Sequence, residues 1–192
     1  MAQTAKNVVF SKPKATGAVL SAPDGTALPT DAVTVLNTKF ESWGYINEDG
    51  VGENHSLSSE SVKDYGKSIV LVVDGGDEVT IEFTPLEYTN PVVQRGLYGD
   101  DNVTLSGADL ASVKISDDAK ETKPYVFEHV LSNGFFERDV CPRAKVTGID
   151  TNTYSAGAAI GPKVTLTCMA DDDGVKIYKY FAKATATAAA KE

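Results

Sequence analysis

Two histidines are the side chains of this sequence best suited to acid–base chemistry, and neither has the partners that catalysis needs. His129 alternates with Tyr125 and Phe127, as residues of a strand do, and His55 lies in a polar segment where we expect it to be solvated. A histidine base activates a Ser or Cys nucleophile within hydrogen-bond reach. No nucleophile motif accompanies either histidine. The sequence therefore predicts structural histidines, no catalytic residue and no enzyme.

The two cysteines, Cys141 and Cys168, predict buried thiols and not a disulfide or a metal site. They are far apart in a sequence without an export signal, which favours reduced thiols. Cys168 shares a strand face with Val164 and Leu166. The chain has no CxxC pair and no histidine at metal-ligand spacing. We expect neither a metal nor a cofactor.

Two glycine-containing segments could suggest ion or phosphate binding, but their spacing is that of turns. Asp171–Gly174 reads DDDG and lacks the alternating ligands and closing Glu of a calcium loop. Gly75 and Gly76 are not followed by the helix that a phosphate loop requires. Both segments are predicted to reverse the chain.

The charge balance argues against stable binding of nucleic acid. Lys and Arg total 18 against 27 Asp and Glu, for a net charge of −9 and a pI of about 4.7. Proteins that hold DNA through its phosphates need the opposite sign. An acidic or neutral wall would let DNA pass without adhering, although the same charge would also keep an ordinary surface soluble.

No apolar run reaches membrane-spanning length and Met1–Ser11 lacks the features of a secretory signal, so we expect cytoplasmic assembly without membrane binding.

Strand patterns occupy most of the chain and predict a mainly β fold. Alternation is clearest in Glu78–Thr84, and Lys67–Val73 is a continuous apolar run. Asp-Gly, Gly-Gly and Asn-Gly pairs predict hairpin turns at Asn47–Gly50, Asp74–Asp77 and Ser132–Gly134. Glu53–Val62 fits a loop or an exposed strand. Further strands are predicted at Ala18–Ser21, Thr38–Ile46, Val103–Leu105, Ala111–Ile115, Lys123–Leu131, Phe135–Cys141, Arg143–Ile149, Lys163–Met169 and Val175–Phe181. The expected fold is an antiparallel β-sandwich or half-barrel with one short α-helix.

The helix is predicted over Asn90–Tyr98. Thr89 or Asn90 supplies the N-cap, Pro91 fits the first turn, and Gly99 ends the helix. Val93 and Leu97 lie on one stripe, and a helix this short must dock through that stripe onto a sheet.

The organisation is that of one domain with two extensions. Residues 1–29, rich in Ala, Gly, Pro and Ser and without buriable side chains of note, are predicted to form an extended arm. Residues 30–181 form a single β domain, and residues 182–192 form a flexible C-terminal tail.

An ordered series of motifs links the chain to a known family. Gly17–Leu36 is followed by GYINEDGV from Gly44, SVKDYG from Ser61, a strand, and TNPVVQRGLYGDDNV from Thr89. In this order the segments resemble the major tail tube proteins of long-tailed, siphovirus-like bacteriophages, especially those of actinobacteria.

The resemblance implies a structural virion protein. Its relatives form hexameric rings that stack around the tape measure protein and later convey DNA into the host. A subunit of this kind contacts itself, the tape measure protein, and the tail terminator and baseplate or distal tail proteins, and meets DNA only in transit. Rings would close sheet edges into one barrel, as closure does within a single chain. The arm and Asn47–Lys67 would make the contacts between rings.

Particular residues are candidates for these roles. Glu82, Glu60 and Glu53 are predicted to face the lumen, because strand alternation places Glu82 with Thr80 and Thr84 opposite an apolar face. The candidates for ring stacking are Asn47, Glu48, Asp49, Lys63 and Asp64.

Two other functions share this architecture. The tube of a contractile injection or type VI secretion system has the same fold and conveys protein. A β-sandwich adhesin would expose aromatic side chains at loop tips, whereas the single Trp43 lies among other buriable groups.

Overall fold

Antiparallel strands form 49% of the structure, a computed structural model that describes residues 4–117 and 120–183. Most of the predicted C-terminal tail lies outside these residues. The described residues contain eleven strands: β1 Ser11–Pro13, β2 Val19–Ser21, β3 Glu41–Ser42, β4 Ile46–Lys63, β5 Ile69–Pro85, β6 Val103–Ser106, β7 Asp109–Val113, β8 Lys123–Leu131, β9 Phe135–Ile149, β10 Val164–Met169 and β11 Tyr178–Lys183. One α-helix, α1, spans Pro91–Tyr98 in the same part of the chain. The predicted mainly β fold with one short helix is confirmed.

Nine strands form one antiparallel sheet in the order β3-β2-β8-β9-β10-β5-β4, with β1 paired to β8 and β11 to β9, and β6 and β7 form a separate pair. β9 is long enough to pair with β11 along its first half and β10 along its second. The buried apolar residues form two clusters on this sheet.

The main core lies between the inner faces of β5, β8, β9 and β10 and the helix. Trp43 is fully buried in it, packs edge-on against Phe83 with ring centroids 5.2 Å apart, and donates from Nε1 to Ser21 Oγ at 2.9 Å. Such aromatic pairs add to the free energy gained from burial alone. The single tryptophan is thus a core residue and not an exposed loop-tip aromatic.

Part of the predicted arm is buried in the apolar clusters of the subunit. β2 lies where a strand was predicted, and all three of its residues are buried. The expectation that residues 1–29 contain no buriable side chains of note is wrong for Val19, Leu20 and Ala22. A strand of three residues with both faces covered gives no alternating pattern, so the sequence could not distinguish it from an exposed segment.

Two predicted turns lie instead within continuous strands. Asn47–Gly50 forms an irregular stretch of β4 between the pairs Ile46–Pro85 and Val51–Phe83. Asp74–Asp77 lies inside β5, where Gly76 has a φ of 95° at a bulge opposite Ser58 and Ser59. Glycine at positive φ suits a bulge as well as a turn. The chain reverses at Asp64–Lys67, where Asp64 Oδ1 accepts from Ser68 N at 2.8 Å.

The helix begins and ends as predicted. The Asn90 side chain accepts from Val92 N at 2.9 Å, Pro91 occupies the first turn, and Gly99 is the C-cap. Val93 and Leu97 are both fully buried in the core. A Cβ on Gly96 would lie 2.2 Å from Trp43 Cζ2, so a glycine is needed where the helix crosses the indole ring. No helix among residues 4–117 and 120–183 is long and apolar enough to cross a membrane.

We expect Leu97→Ala to lower the free energy of unfolding of the monomer by about 2–4 kcal/mol, because it leaves a cavity at a fully buried site. Chemical denaturation would measure the change. Leu57→Ala is the matched control, since Leu57 is 84% exposed and the same truncation should leave monomer stability unchanged. Equal effects of the two variants would contradict docking of the helix through Leu97.

Candidate assembly surfaces

The outer face of β5, β10 and β9 is a polar surface that no element covers among the described residues. Helix α1 and the apolar core lie against the opposite, inner face. Outward residues alternate with buried ones over residues 79–85 of β5, 143–147 of β9 and 164–169 of β10. They include several threonines, one acid and two bases: Thr80, Glu82, Thr84, Arg143, Lys145, Thr147, Thr165 and Thr167. We call these eight residues the threonine face.

Glu82 is the one carboxylate of the threonine face, and it is paired. Lys163 Nζ lies 2.6 Å from Glu82 Oε2, with both side chains nearly half exposed. This hydrogen bond raises the pKa of Lys163. Arg143 and Lys145 have no ion-pair partner among residues 4–117 and 120–183. The face is thus richer in threonine and basic groups than the acidic lining expected from the sequence.

The three glutamates predicted to line a lumen do not share one surface. Glu53 pairs with Ile81 on β5, whose side chain points into the core, so Glu53 lies on the face opposite to Glu82. It is bound by Lys179 Nζ at 2.7 Å and by His55 Nε2 at 2.7 Å. Glu60 is further along β4, opposite Val73 and away from the body of the subunit.

β4 and β5 continue past the body as a long, exposed ribbon. From Glu53 to Lys63 on β4 and from Ile69 to Glu78 on β5 every residue is exposed. At the rise of a strand, the ten steps from Glu53 to Lys63 extend about 33 Å. We call residues 53–78 the distal hairpin.

The distal hairpin carries large apolar side chains on both of its faces. Consecutive residues of β5 from Ile69 to Val73 are exposed by between 48% and 62%. Neighbouring residues of a strand point to opposite sides. An isolated two-stranded ribbon is at best marginally stable in water, and exposed apolar surface of this kind marks a contact site.

The predicted ring-stacking residues lie at the two ends of β4. Asn47, Glu48 and Asp49 form its base, where Asn47 Nδ2 donates to Asp49 Oδ2 at 2.9 Å. Lys63 and Asp64 form its tip. The base points away from the tip, so the two groups cannot meet within one subunit.

A buried ion pair that the sequence analysis missed connects β8 to β9. Arg138 Nε donates to Glu128 Oε1 at 2.8 Å, and Arg138 Nη2 donates to the same oxygen. Arg138 and Glu128 are 1% and 2% exposed. A signal existed, because a hairpin centred on Asn133 places Glu128 opposite Arg138, as the observed register does.

The same pair holds two loosely structured segments against the sheet. Glu128 accepts from Lys14 Nζ at 3.2 Å and Thr16 Oγ1 at 2.9 Å. Arg138 Nη1 donates to the carbonyl oxygens of Asp31 and Thr34 at 2.8 and 2.9 Å. The arm and the loop after it are thus fixed by charge-assisted hydrogen bonds in addition to the apolar packing of β2.

The residues with possible chemistry take structural positions. Cys141 and Cys168 are free and buried, and a hydrogen bond between the thiols, together with burial, raises the pKa of Cys141. Asp171 Oδ1 accepts from Asp173 N at 3.1 Å and Val175 N at 2.9 Å, which confirms a turn. Within residues 4–117 and 120–183, no group of three or more acidic, His or Cys side chains could hold a metal.

Comparison with known protein families identifies the family of the chain. A model of the phage tail tube protein family matches residues 1–191. No curated protein matches the chain significantly. The family is structural and not enzymatic, and its members assemble with other tail components into the tube of the virion tail. The chain therefore belongs to the phage tail tube protein family.

Proposed function

We propose that this protein is the major tail tube subunit of a long-tailed, siphovirus-like phage of the actinobacterial type, assembled in the host cytoplasm. Its copies form hexameric rings that stack around the tape measure protein, between the tail terminator and the baseplate or distal tail proteins. The emptied tube then conducts DNA into the host. The distal hairpin carries this proposal, since it exposes apolar side chains on two faces, and contact with other subunits would bury them.

Ring closure is supported by the ends of the sheet. β4 and β3 are its terminal strands, and each leaves backbone groups without a neighbouring strand on one side. Such edges pair readily with another chain. Six copies joined through these edges would form one barrel, with the threonine face towards the lumen and helix α1 outside.

Stacking is supported by the charges at the two ends of β4. The tip carries Lys63 and Lys67 together with Asp64, for one net positive charge, and the base carries Glu48 and Asp49. Because tip and base point in opposite directions, the tip of one ring meets the base end of the next. A contact between two different surfaces of identical subunits continues indefinitely when it does not close on itself. Stacked rings of this kind give a tube.

Negative-stain microscopy of the purified chain tests the proposal. Tubes or stacked rings are expected, and a reconstruction should show six subunits per ring with the distal hairpin between rings. Persistent monomers at high concentration, or tubes in which the hairpin remains in solvent, would contradict it.

We expect Glu82→Lys to slow DNA ejection and to make assembled tubes retain DNA at low salt. The substitution removes the only carboxylate of the threonine face and sets a fourth cation beside Lys163, Lys145 and Arg143. Sixfold repetition would create a positive belt in each ring, whose attraction for phosphate weakens as salt screens it. Ejection kinetics of virions that carry the variant provide the measurement.

Asp109→Lys is the matched control for this prediction. Asp109 is exposed in β7, whose contacts with helix α1 place it on the other side of the sheet. The same charge change there should leave ejection normal. Normal ejection from Glu82→Lys virions would show that the threonine face does not line the channel.

A further inference from the structure

A polar cavity of about 170 Å³ opens where the distal hairpin leaves the body. Ile81 and Phe127, two core residues, lie at its inner side, and it is otherwise lined largely by charged groups from β4, β9 and β11. A single water needs only about 10–15 Å³ measured in this way. The cavity therefore has room for a larger polar group.

One cation serves two carboxylates in this cavity. Lys179 Nζ lies 2.7 Å from Glu53 Oε2 and 3.2 Å from Asp139 Oδ2. The other oxygen of Asp139, Oδ1, is buried and accepts no hydrogen bond. Asp139 as a whole residue is 94% buried. Buried polar atoms almost always have a partner, so this oxygen indicates a missing one.

A third carboxylate adds to the unbalanced charge. Glu137 lines the cavity two residues before Asp139 on β9, and it has no hydrogen bond or ion pair among residues 4–117 and 120–183. Burial, followed by the charge of Asp139, raises the pKa of Glu137. His129 does not compensate, because burial lowers its pKa. Removing unpaired charge from water is costly unless a counter-charge is supplied.

We propose that this cavity is a socket for a lysine or arginine side chain of a second copy of the chain, bound between Glu137 and Asp139 Oδ1. The inference rests on the proposed assembly into a tube and adds a specific contact to it. The chain offers a suitable group, since Lys39 is exposed and has no ion-pair partner in the described residues. A bound metal ion is disfavoured, because the described residues contain no cluster suited to one.

Charge variants of Glu137 separate this role from a purely structural one. In Glu137→Gln the monomer should melt at the same or a higher temperature, because repulsion of Asp139 is removed. The concentration needed for tube assembly should rise by at least about tenfold, because a buried charge pair between subunits loses one partner. Glu137→Lys should stabilise the monomer further by placing its own ammonium near Asp139 and should block assembly. Glu121→Gln, the same change outside the cavity, should alter neither quantity.

The outcomes distinguish the two proposals. If Glu137→Gln forms tubes at the same concentration as the wild type, the socket proposal is overturned and the tube proposal stands. A Glu137→Gln monomer less stable than the wild type would also overturn the socket proposal alone. A reconstruction of the wild-type tube should show a lysine or arginine nitrogen of another subunit within 4 Å of Glu137 or Asp139, and only water there would also overturn it. A wild-type chain that never assembles would overturn both proposals.

Discussion

Leu71→Asp should abolish tube formation and leave the melting temperature of the monomer unchanged. Leu71 is 56% exposed in the distal hairpin. Because its side chain buries little apolar surface within one subunit, its replacement should not destabilise the monomer. In the assembled tube the new carboxylate would be removed from water without a partner, at a cost of about 3 kcal/mol or more. That cost raises the concentration required for assembly by at least about 100-fold. Light scattering and microscopy across a concentration series would measure it.

Val35→Asp is the matched control for Leu71→Asp. Val35 is 91% exposed on the body of the subunit and lies outside the hairpin, so the same loss of apolar surface and gain of charge should leave assembly nearly normal. Tubes of Leu71→Asp at wild-type concentrations would mean that the hairpin is not an assembly surface. Loss of monomer stability would instead show that the hairpin packs on its own subunit.

Arg138→Met should lower the free energy of unfolding of the monomer by about 3–5 kcal/mol, a large share of the stability of a domain of this size. The substitution leaves the buried Glu128 with the less buried Lys14 as its only counter-charge among the described residues, and it removes the donor to the carbonyl oxygens of Asp31 and Thr34. Denaturant titration would give the change.

Lys163→Met is the control for the buried pair. It breaks the ion pair with Glu82, whose members are 47% and 42% exposed, and half-exposed pairs contribute about 0–1 kcal/mol. A similar loss of unfolding free energy in Arg138→Met and Lys163→Met would show that the Glu128–Arg138 pair is no stronger than a surface pair. The double variant Glu128→Leu with Arg138→Met should recover part of the loss, because it removes both charges together.

Local signals in the sequence predicted the elements whose structure depends on local chemistry. The cap, proline and glycine of helix α1 all act within a few residues, and the helix begins and ends where they indicate. The turn at Ser132–Gly134 set the register of β8 and β9. The predictions of turns at Asn47–Gly50 and Asp74–Asp77 were wrong, because a glycine at positive φ suits a bulge in a long strand as well as a chain reversal.

The candidate sites required contacts between distant parts of the chain. Alternation correctly separated the two faces of β5, but it could not show that Glu53 on β4 lies opposite to Glu82. The ion pair of Glu128 and Arg138 could have been found from the predicted hairpin register. The cavity beside Glu137 could not have been predicted in this way. It is lined by residues of β4, β9 and β11, which are distant in the sequence, and no sequence spacing indicates that these strands come together.

The two-faced distal hairpin also has a consequence for the timing of assembly. A ribbon without its own core is only marginally stable in water, so the first contact must offset the entropy of fixing two long strands. Later subunits add to a hairpin that is already held in place. Assembly is therefore expected to start slowly and grow quickly, which would keep free subunits in reserve until another tail component supplies the first fixed surface.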